Sequence, residues 1–186
     1  MNAPTPPLQW TGTDIDVGAR LLAALMQHAG ARPGVAIEGA DLLALARKAH
    51  PRDAMLGRAL PLGLAPKLQF IAAFCAQYGY PDLATLVLPR VPDPAVASHD
   101  WAGTAVSAGV QLLTFAKLAH AAVPARFKAR AEKPADIAWY AYFRSHRAAC
   151  EAVTGEGKKE IINLIMAGLD PESALSRVLA AQAASV

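Results

Sequence analysis

The segment from Leu64 to Leu88 constrains the fold more than any other part of the chain. Through its first half, apolar side chains recur at steps of three and four residues, the spacing that gives a helix one apolar face. The side chains in this pattern are Leu64, Leu68, Ile71, Cys75 and Tyr78. Pro66 fits in the first turn, where its missing N–H leaves no hydrogen bond unmade, and Gly79 supplies the left-handed residue that often ends a helix. We therefore predict a helix that ends at Gly79.

A second element should follow this helix. Pro81 prevents the helix from continuing, because a proline lacks the N–H that the next helical hydrogen bond needs. Leu83 to Leu88 is then a short apolar run that is closed by Pro89. A run of this length between turn signals favours an extended backbone. It is the one strand that we predict.

The residues around Gly79 also form a pattern seen in other proteins. An aliphatic and aromatic helix with Cys75 near its end is followed by the sequence GYPDLATLV, from Gly79 to Val87. Residues 60–88, less than a sixth of the chain, thereby resemble a segment of small phage and mobile-element proteins of unknown function. The resemblance implies a genomic context and no particular chemistry.

Similar start and stop signals divide the rest of the chain into helices. Asp53 and Asp170 can each cap the first turn of a helix, and Ser98 or Asp100 can cap another. The predicted helices cover about residues 13–29, 39–50, 53–60, 64–78, 99–123, 134–153, 158–167 and 171 onward. The sequence therefore predicts a mainly α-helical protein, a bundle of about seven or eight helices with at most a small β element.

The distribution of prolines predicts two lobes. Residues 1–12 are proline-rich and should form a flexible N-terminal arm, from which Trp10 can tuck against the body. Residues 13–90 would form one helical lobe that contains a helix-turn-helix-like segment. A proline-containing linker at residues 91–98 separates it from a second helical lobe at residues 99–186.

Composition narrows the class of protein. With 54% hydrophobic and 18% charged residues, the chain can build a core, which excludes disorder throughout. Polar side chains interrupt the most apolar region, residues 101–123, so we expect no membrane span. Residues 1–8 show no signal-peptide pattern, and we expect a cytoplasmic protein. Cys75 and Cys150 should be reduced packing residues.

Basic residues in the first lobe favour a DNA-binding function. Residues 39–60 have roughly the size of a helix-turn-helix motif, and the whole chain carries a net charge of +3. The side chains that would meet phosphates are Arg47, Lys48, Arg52 and Arg58. The alternative is an ordinary pair of packed helices with solvated basic residues, since the turn lacks the usual glycine.

A second basic stretch, mixed with aromatic residues, lies in the other lobe. Such a stretch can bind nucleic acid by stacking and charge, or an acidic protein. The candidate partner-binding residues are Lys128, Arg130, Trp139, Tyr142, Phe143, Arg144 and Arg147. The alternative places the aromatic rings in the core and leaves the charges in solvent.

Catalytic signals are weak throughout the sequence. The five histidines are scattered and show no metal-ligand spacing, so we predict no catalytic residue, no metal and no cofactor. The leading hypothesis is a non-enzymatic accessory or regulatory protein of a phage or mobile element that binds DNA or a DNA-associated protein. The alternative is a helical protein–protein interaction module, such as an adaptor, inhibitor or immunity-type protein, that binds a single partner. Small residues would also permit a homodimer: Ala102, Gly103, Ala108 and Gly109.

Overall fold

The computed structural model of the chain describes residues 10–124 and 132–184. Within these ranges the chain folds into nine α-helices, seven of which exceed ten residues. They are α1 (Gly12–Ala31), α2 (Gly39–Ala49), α3 (Ala54–Arg58), α4 (Ala65–Tyr78), α5 (Pro94–Ser98), α6 (Trp101–Ala122), α7 (Glu132–Ser145), α8 (Gly155–Met166) and α9 (Pro171–Ala184). The predicted mainly α-helical bundle is confirmed.

Several helices begin and end at the predicted signals. The carboxylate of Asp53 accepts a hydrogen bond from the backbone N–H of Leu56 at 2.9 Å, and Asp100 and Asp170 cap α6 and α9 in the same way. Gly79 ends α4 in the left-handed conformation, with φ of 71°. Side-chain acceptors and glycine thus set these boundaries locally.

The predicted strand at residues 83–88 is wrong for most of its length. Leu83–Leu86 form a single 3-10 turn, because the Asp82 carboxylate accepts a hydrogen bond from the backbone N–H two residues later, at 2.9 Å. Only Val87 pairs with another segment, in an isolated parallel bridge to Ile37. The apolar run therefore reflects burial in the core and not an extended backbone.

The larger hydrophobic core surrounds α1. This helix packs against α2, α4 and α6, and Ile15, Leu21 and Leu25 have no exposed surface. Aromatic side chains close one side of this core: Trp10, Phe70, Phe74, Tyr78 and Phe115. Trp10 packs against the body, as the sequence predicts. The rest of the predicted arm, residues 1–9, lies outside the described residues.

A smaller core is formed by α7, α8 and α9. Its buried side chains are Ala135, Trp139, Cys150, Ile161, Leu164, Ile165, Leu169, Ala174, Leu175 and Val178. Helix α6 belongs to the first core, because it packs against α1 and buries Trp101, Ala108 and Leu112 there. The buried residues thus divide after α6. The predicted linker at residues 91–98 does not separate the two cores, and it contains α5.

The two cores meet around the turn that leads into α4. Leu62, in this turn, packs against the second core, and the Asn163 amide donates a hydrogen bond to the carbonyl oxygen of Arg58 at 3.0 Å. Glu160, on α8, lies against Gly63. A Cβ added at Gly63 would overlap the Glu160 carboxylate, so only glycine permits this approach.

Candidate functional site

The most deeply buried charged side chains lie at the junction of the two cores. Lys67 Nζ donates hydrogen bonds to Asp14 Oδ1 at 3.0 Å and to the carbonyl oxygen of Gly63 at 2.8 Å. The side chains of Lys67 and Asp14 are only 5% and 1% exposed. The Thr11 hydroxyl donates to the other carboxylate oxygen of Asp14 at 2.8 Å. Both oxygens of Asp14 therefore have partners.

The pKa of Glu160, the second carboxylate of this junction, is shifted in the opposite direction from the pKa of Asp14. Burial raises the pKa of Glu160, and the nearby Lys67 ammonium and Asn163 amide offset only part of that effect. Burial alone would also raise the pKa of Asp14, but the charge of Lys67 and the hydrogen bonds from Thr11 outweigh it, so the pKa of Asp14 is lowered. One lysine thus stabilises two carboxylates unequally.

A cleft of about 100 Å³ opens beside these buried charges. Lys67 lines this cleft, and its ammonium is already bound to a carboxylate and a carbonyl oxygen. These contacts join α1, α4 and the turn before α4, and Glu160 adds α8 to the same cluster. We therefore interpret the buried charges as a structural cluster.

Only some of the predicted DNA-binding residues lie on an open surface. Lys48, Arg52 and Arg58 are exposed. Arg47 is half-buried, and its guanidinium donates hydrogen bonds to the carbonyl oxygens of Leu56, at 3.2 Å, and of Ala59. Helix α3 has five residues, which is too short to lie in a major groove as a recognition helix does. DNA binding through this segment stays a prediction.

The predicted aromatic platform of the second lobe is largely internal. Trp139 is 2% exposed, and the rings of Tyr142 and Phe143 pack around it with centroids 6.2 and 6.0 Å away. The ring of Trp139 therefore fills the second core, as a large apolar side chain does, and its contact with a partner stays a prediction. Arg144 and Arg147 are exposed. The other two candidates, Lys128 and Arg130, lie outside the described residues.

The outer face of α7 presents a different set of side chains. Lys133, Ile137, Tyr140 and Arg144 follow one another at steps of four, three and four residues, so they share one face of the helix. We call this set the α7 stripe. All four are exposed, with 62% of Ile137 and 46% of Tyr140 accessible to solvent. The sequence contains this spacing, but of the four residues only Arg144 was among the predicted partner-binding residues.

Neighbouring side chains hold the α7 stripe in place. Lys158, on α8, donates a hydrogen bond to the Tyr140 hydroxyl, and its Nζ lies 4.6 Å from the centre of the ring. Arg144 Nε donates to the Tyr140 carbonyl oxygen at 3.3 Å. A groove runs beside the stripe between α7 and α8, and it is lined by Trp139, Tyr140, Phe143, Cys150, Val153 and Lys158. The result is an oriented aromatic side chain flanked by cations, next to an apolar groove.

Chemistry at a metal or a thiolate has little support in the described part of the chain. Histidine, cysteine and carboxylate side chains form no metal-binding group of three or more there. Burial raises the pKa of Cys75 to about 11 and also raises the pKa of Cys150. Both thiols therefore favour the protonated form, which is a poor nucleophile. They serve as packing residues, one in each core.

Comparisons with known proteins give no information about the function of this chain. No protein-family model, curated protein or solved structure matches this chain. The resemblance of residues 60–88 to phage and mobile-element proteins therefore stays a prediction. Between residues 10 and 124 and between 132 and 184, no helix has both the length and the apolar character to cross a membrane.

Proposed function

We propose that this protein is a non-enzymatic interaction module that binds an acidic protein segment through the α7 stripe and its groove. The observation that supports this proposal is the order of side chains along the stripe. Two exposed apolar residues, Ile137 and Tyr140, lie between two cations, Lys133 and Arg144. An amphipathic helix with apolar residues along one side and carboxylates at the edges matches this pattern.

Nucleic acid matches the α7 stripe less well. Proteins that bind single strands stack bases on exposed aromatic rings. Here Trp139 is buried, Phe143 packs beside it, and the hydroxyl of Tyr140 is bound by Lys158. Ile137 gains free energy only from an apolar contact. A protein partner uses every member of the stripe, whereas a nucleic acid would use the cations and one ring.

The apolar and charged members of the stripe would contribute differently. Burying the exposed 62% of Ile137 against a partner would contribute about 1–2 kcal/mol. The exposed cations at Lys133 and Arg144 would contribute less to affinity and more to the rate and orientation of encounter. We therefore expect Ile137 and Tyr140 to dominate binding and the cations to select an acidic partner.

The proposal also connects the two hypotheses drawn from the sequence. A DNA-associated protein with an acidic surface would bind the α7 stripe. The exposed cations of the first lobe, Lys48 and Arg52, would then face phosphates of the same complex. An accessory or regulatory role of this kind, in a phage or a mobile element, is the form of the proposal that agrees with the resemblance of residues 60–88.

Purification of the full chain from its host cells tests the proposal. Bound proteins and bound nucleic acid are both identified, in low and in high salt. The unsubstituted chain should retain one stoichiometric protein partner. Ile137→Glu should weaken that binding at least about tenfold, because it replaces an apolar contact by a charge that repels an acidic partner.

The matched control is Val35→Glu. Val35 is an exposed valine in the loop after α1, far along the chain from the stripe, and the same partner should be retained. Thermal unfolding shows whether both variants keep the fold. Equal retention of the partner by Ile137→Glu would contradict the proposal. Recovery of nuclease-sensitive nucleic acid in place of a protein would also contradict it and would favour the DNA-binding hypothesis.

A further inference from the structure

Helix α6 has one buried side and one exposed apolar side. Its inner side packs on α1 through Trp101, Ala108 and Leu112. Four large aliphatic side chains on the rest of the helix are between 63% and 81% exposed: Val106, Val110, Leu113 and Leu118. Exposed apolar side chains clustered in this way mark an interaction surface.

Most of these side chains follow a coiled-coil spacing. Gly103, Val106, Val110, Leu113 and Lys117 are separated by steps of three, four, three and four residues. This is the seam spacing of a helix that packs lengthwise against another helix. We call these five residues the α6 seam. The seam points away from α1, and residues 10–124 and 132–184 leave it exposed to solvent.

Two glycines lie in or beside the seam, and the structure explains why a glycine is needed at only one of them. A Cβ at Gly103 would overlap the Asp100 carboxylate that caps α6, so the cap accounts for this glycine. A Cβ at Gly109 would meet no atom within 4 Å. A glycine inside a helix disfavours the helical state, and no close contact among the described residues requires a glycine at position 109. A helix packed from outside, next to Val110, would give this position a reason to be small.

We propose that the α6 seam binds the α6 seam of a second copy of this chain, in an antiparallel pair. The spacing of the seam residues is nearly symmetric about Val110, with one aliphatic residue three or four positions away on each side. In an antiparallel pair with its two-fold axis at Val110, the two Val110 side chains meet, Val106 faces Leu113, and Gly103 faces Lys117. A surface that is complementary to itself in this way forms a closed symmetric dimer.

The charges at the ends of the seam favour the antiparallel direction. Asp100 lies at one end of α6 and Lys117 near the other, and both are exposed. The antiparallel pair brings Lys117 of one protomer beside Asp100 of its partner, at both ends of the interface. A parallel pair would place the two lysines side by side, which is unfavourable because like charges repel. The same pattern of charge makes a second copy a better occupant than an unrelated apolar helix.

The proposed dimer is independent of the function proposed for α7. The α6 seam lies on a helix of the first core, whereas the α7 stripe lies on a helix of the second core. A dimer through α6 would carry two α7 stripes and bind a repeated or dimeric partner more tightly than a single copy. Loss of the dimer and loss of the partner are measured separately.

Sedimentation velocity of the purified full chain, over a range of concentrations, tests the dimer. The unsubstituted chain should sediment as a dimer. Val110→Glu should raise the dissociation constant at least about tenfold, because two glutamates would meet on the two-fold axis. The matched control is Leu118→Glu, an exposed aliphatic residue on the same helix about 80° away from Val110. Val91→Glu, at an exposed valine before α5, is a second control.

Several outcomes would overturn the dimer. One is an unsubstituted chain that stays monomeric up to the order of 1 mM, where even a weak complex forms. Another is dissociation by Leu118→Glu that equals the effect of Val110→Glu. Binding of the monomer to vesicles of anionic and neutral lipid, lost in Val110→Glu, would assign the seam to a lipid surface instead. Circular dichroism of each variant shows that α6 is still folded.

Cross-linking through introduced cysteines tests the direction of the pair. Val110→Cys should form a disulfide-linked dimer, because this position lies on the proposed axis. Lys117→Cys should not, because in an antiparallel pair the two copies of this position are about 21 Å apart along the helices. Cross-linking of both variants would indicate a parallel pair and contradict the proposal. The natural cysteines, Cys75 and Cys150, are buried and give little background.

Discussion

Two lysines, one at the junction of the cores and one beside the α7 stripe, meet oxygen atoms in contrasting surroundings. Lys67 is buried and binds a carboxylate and a carbonyl oxygen. Lys158 is half-buried and binds the hydroxyl of Tyr140, whose ring remains open to solvent. The first lysine therefore holds helices together, and the second orients a side chain that a partner can still reach.

Burial therefore separates residues with a structural role from residues that can bind a partner. Removal of one member of a buried ion pair leaves the other charge without solvation, so the cost is large. Removal of an exposed member costs little, because water replaces it. The contrast predicts that substitutions at the junction change the free energy of unfolding, whereas substitutions in the α7 stripe change partner binding.

The largest effect is expected for Lys67→Met. This change removes the cation and leaves the buried Asp14 carboxylate unpaired, so the free energy of unfolding should fall by about 3–5 kcal/mol. Urea unfolding followed by circular dichroism measures it. The matched control, Lys48→Met, lies on the exposed face of α2 and should change stability by less than about 0.5 kcal/mol. Equal effects of the two changes would show that the junction is not a structural cluster.

A comparable loss is expected for Trp139→Ala, at about 3 kcal/mol. The substitution removes the largest side chain of the second core and leaves a cavity among α7, α8 and α9. Limited proteolysis and urea unfolding should both show a weakened second lobe. If Trp139→Ala instead abolished partner binding with no loss of stability, the side chain would have to be a surface residue, contrary to the structure.

The two junction carboxylates should give opposite pH dependences. The lowered pKa of Asp14 contributes stability above its unfolded pKa, and this contribution is lost as the pH falls toward the folded value. The raised pKa of Glu160 acts in reverse, because stability falls as the pH rises from the unfolded value to the folded one. Glu160→Gln should therefore stabilise the protein at pH 7, by about 1 kcal/mol, and have no effect where Glu160 is protonated.

Urea unfolding of this variant between pH 4 and pH 8 checks the sign, since the gain should appear only as the pH rises. Glu151→Gln, at an exposed glutamate, is the control and should show no such gain. A gain for Glu160→Gln that is constant at every pH would mean that the ionisation of Glu160 is not responsible.

The smallest change in stability is expected for Tyr140→Ala. This side chain is 46% exposed, so the free energy of unfolding should change by less than about 0.5 kcal/mol. Partner binding should nevertheless weaken at least about tenfold. Tyr140→Phe keeps the ring and loses only the hydroxyl that Lys158 binds, so it should retain most of the affinity. A marked loss of stability in Tyr140→Ala would mean that the ring has a structural role. It would contradict the expectation that substitutions in the α7 stripe change partner binding and not stability.

Local signals in the sequence were sufficient for most helix boundaries, because a cap depends only on neighbouring residues. Asp53, Asp100, Asp170 and Gly79 act as predicted. Prediction failed at residues 83–88, where a short apolar run is compatible with a strand or a buried turn. The hydrogen bond that the Asp82 carboxylate accepts from the backbone N–H of Ala84 stabilises the turn.

The α7 stripe was only partly predictable. Its cation at Arg144 was among the candidate partner-binding residues, whereas Ile137 and Tyr140 were not. Periodicity shows that one face of α7 is buried, but it does not show which aromatic residues belong to that face. The packing of α8 and α9 against α7 determines which of these aromatic side chains is buried, because Trp139 fills the space between the three helices.

Short-range spacing and capping residues thus specify a helical protein with defined helix ends. They do not specify the boundary between the two cores, because α6 packs in the first core although it follows the predicted linker at residues 91–98. Only the tertiary structure brings together Asp14, Lys67 and Glu160, which are separated by 53 and 93 residues along the chain. The same holds for the pairing of Tyr140 with Lys158 and for the open outer side of α6. Burial and long-range contact depend on how helices pack, and packing is a property of the whole chain.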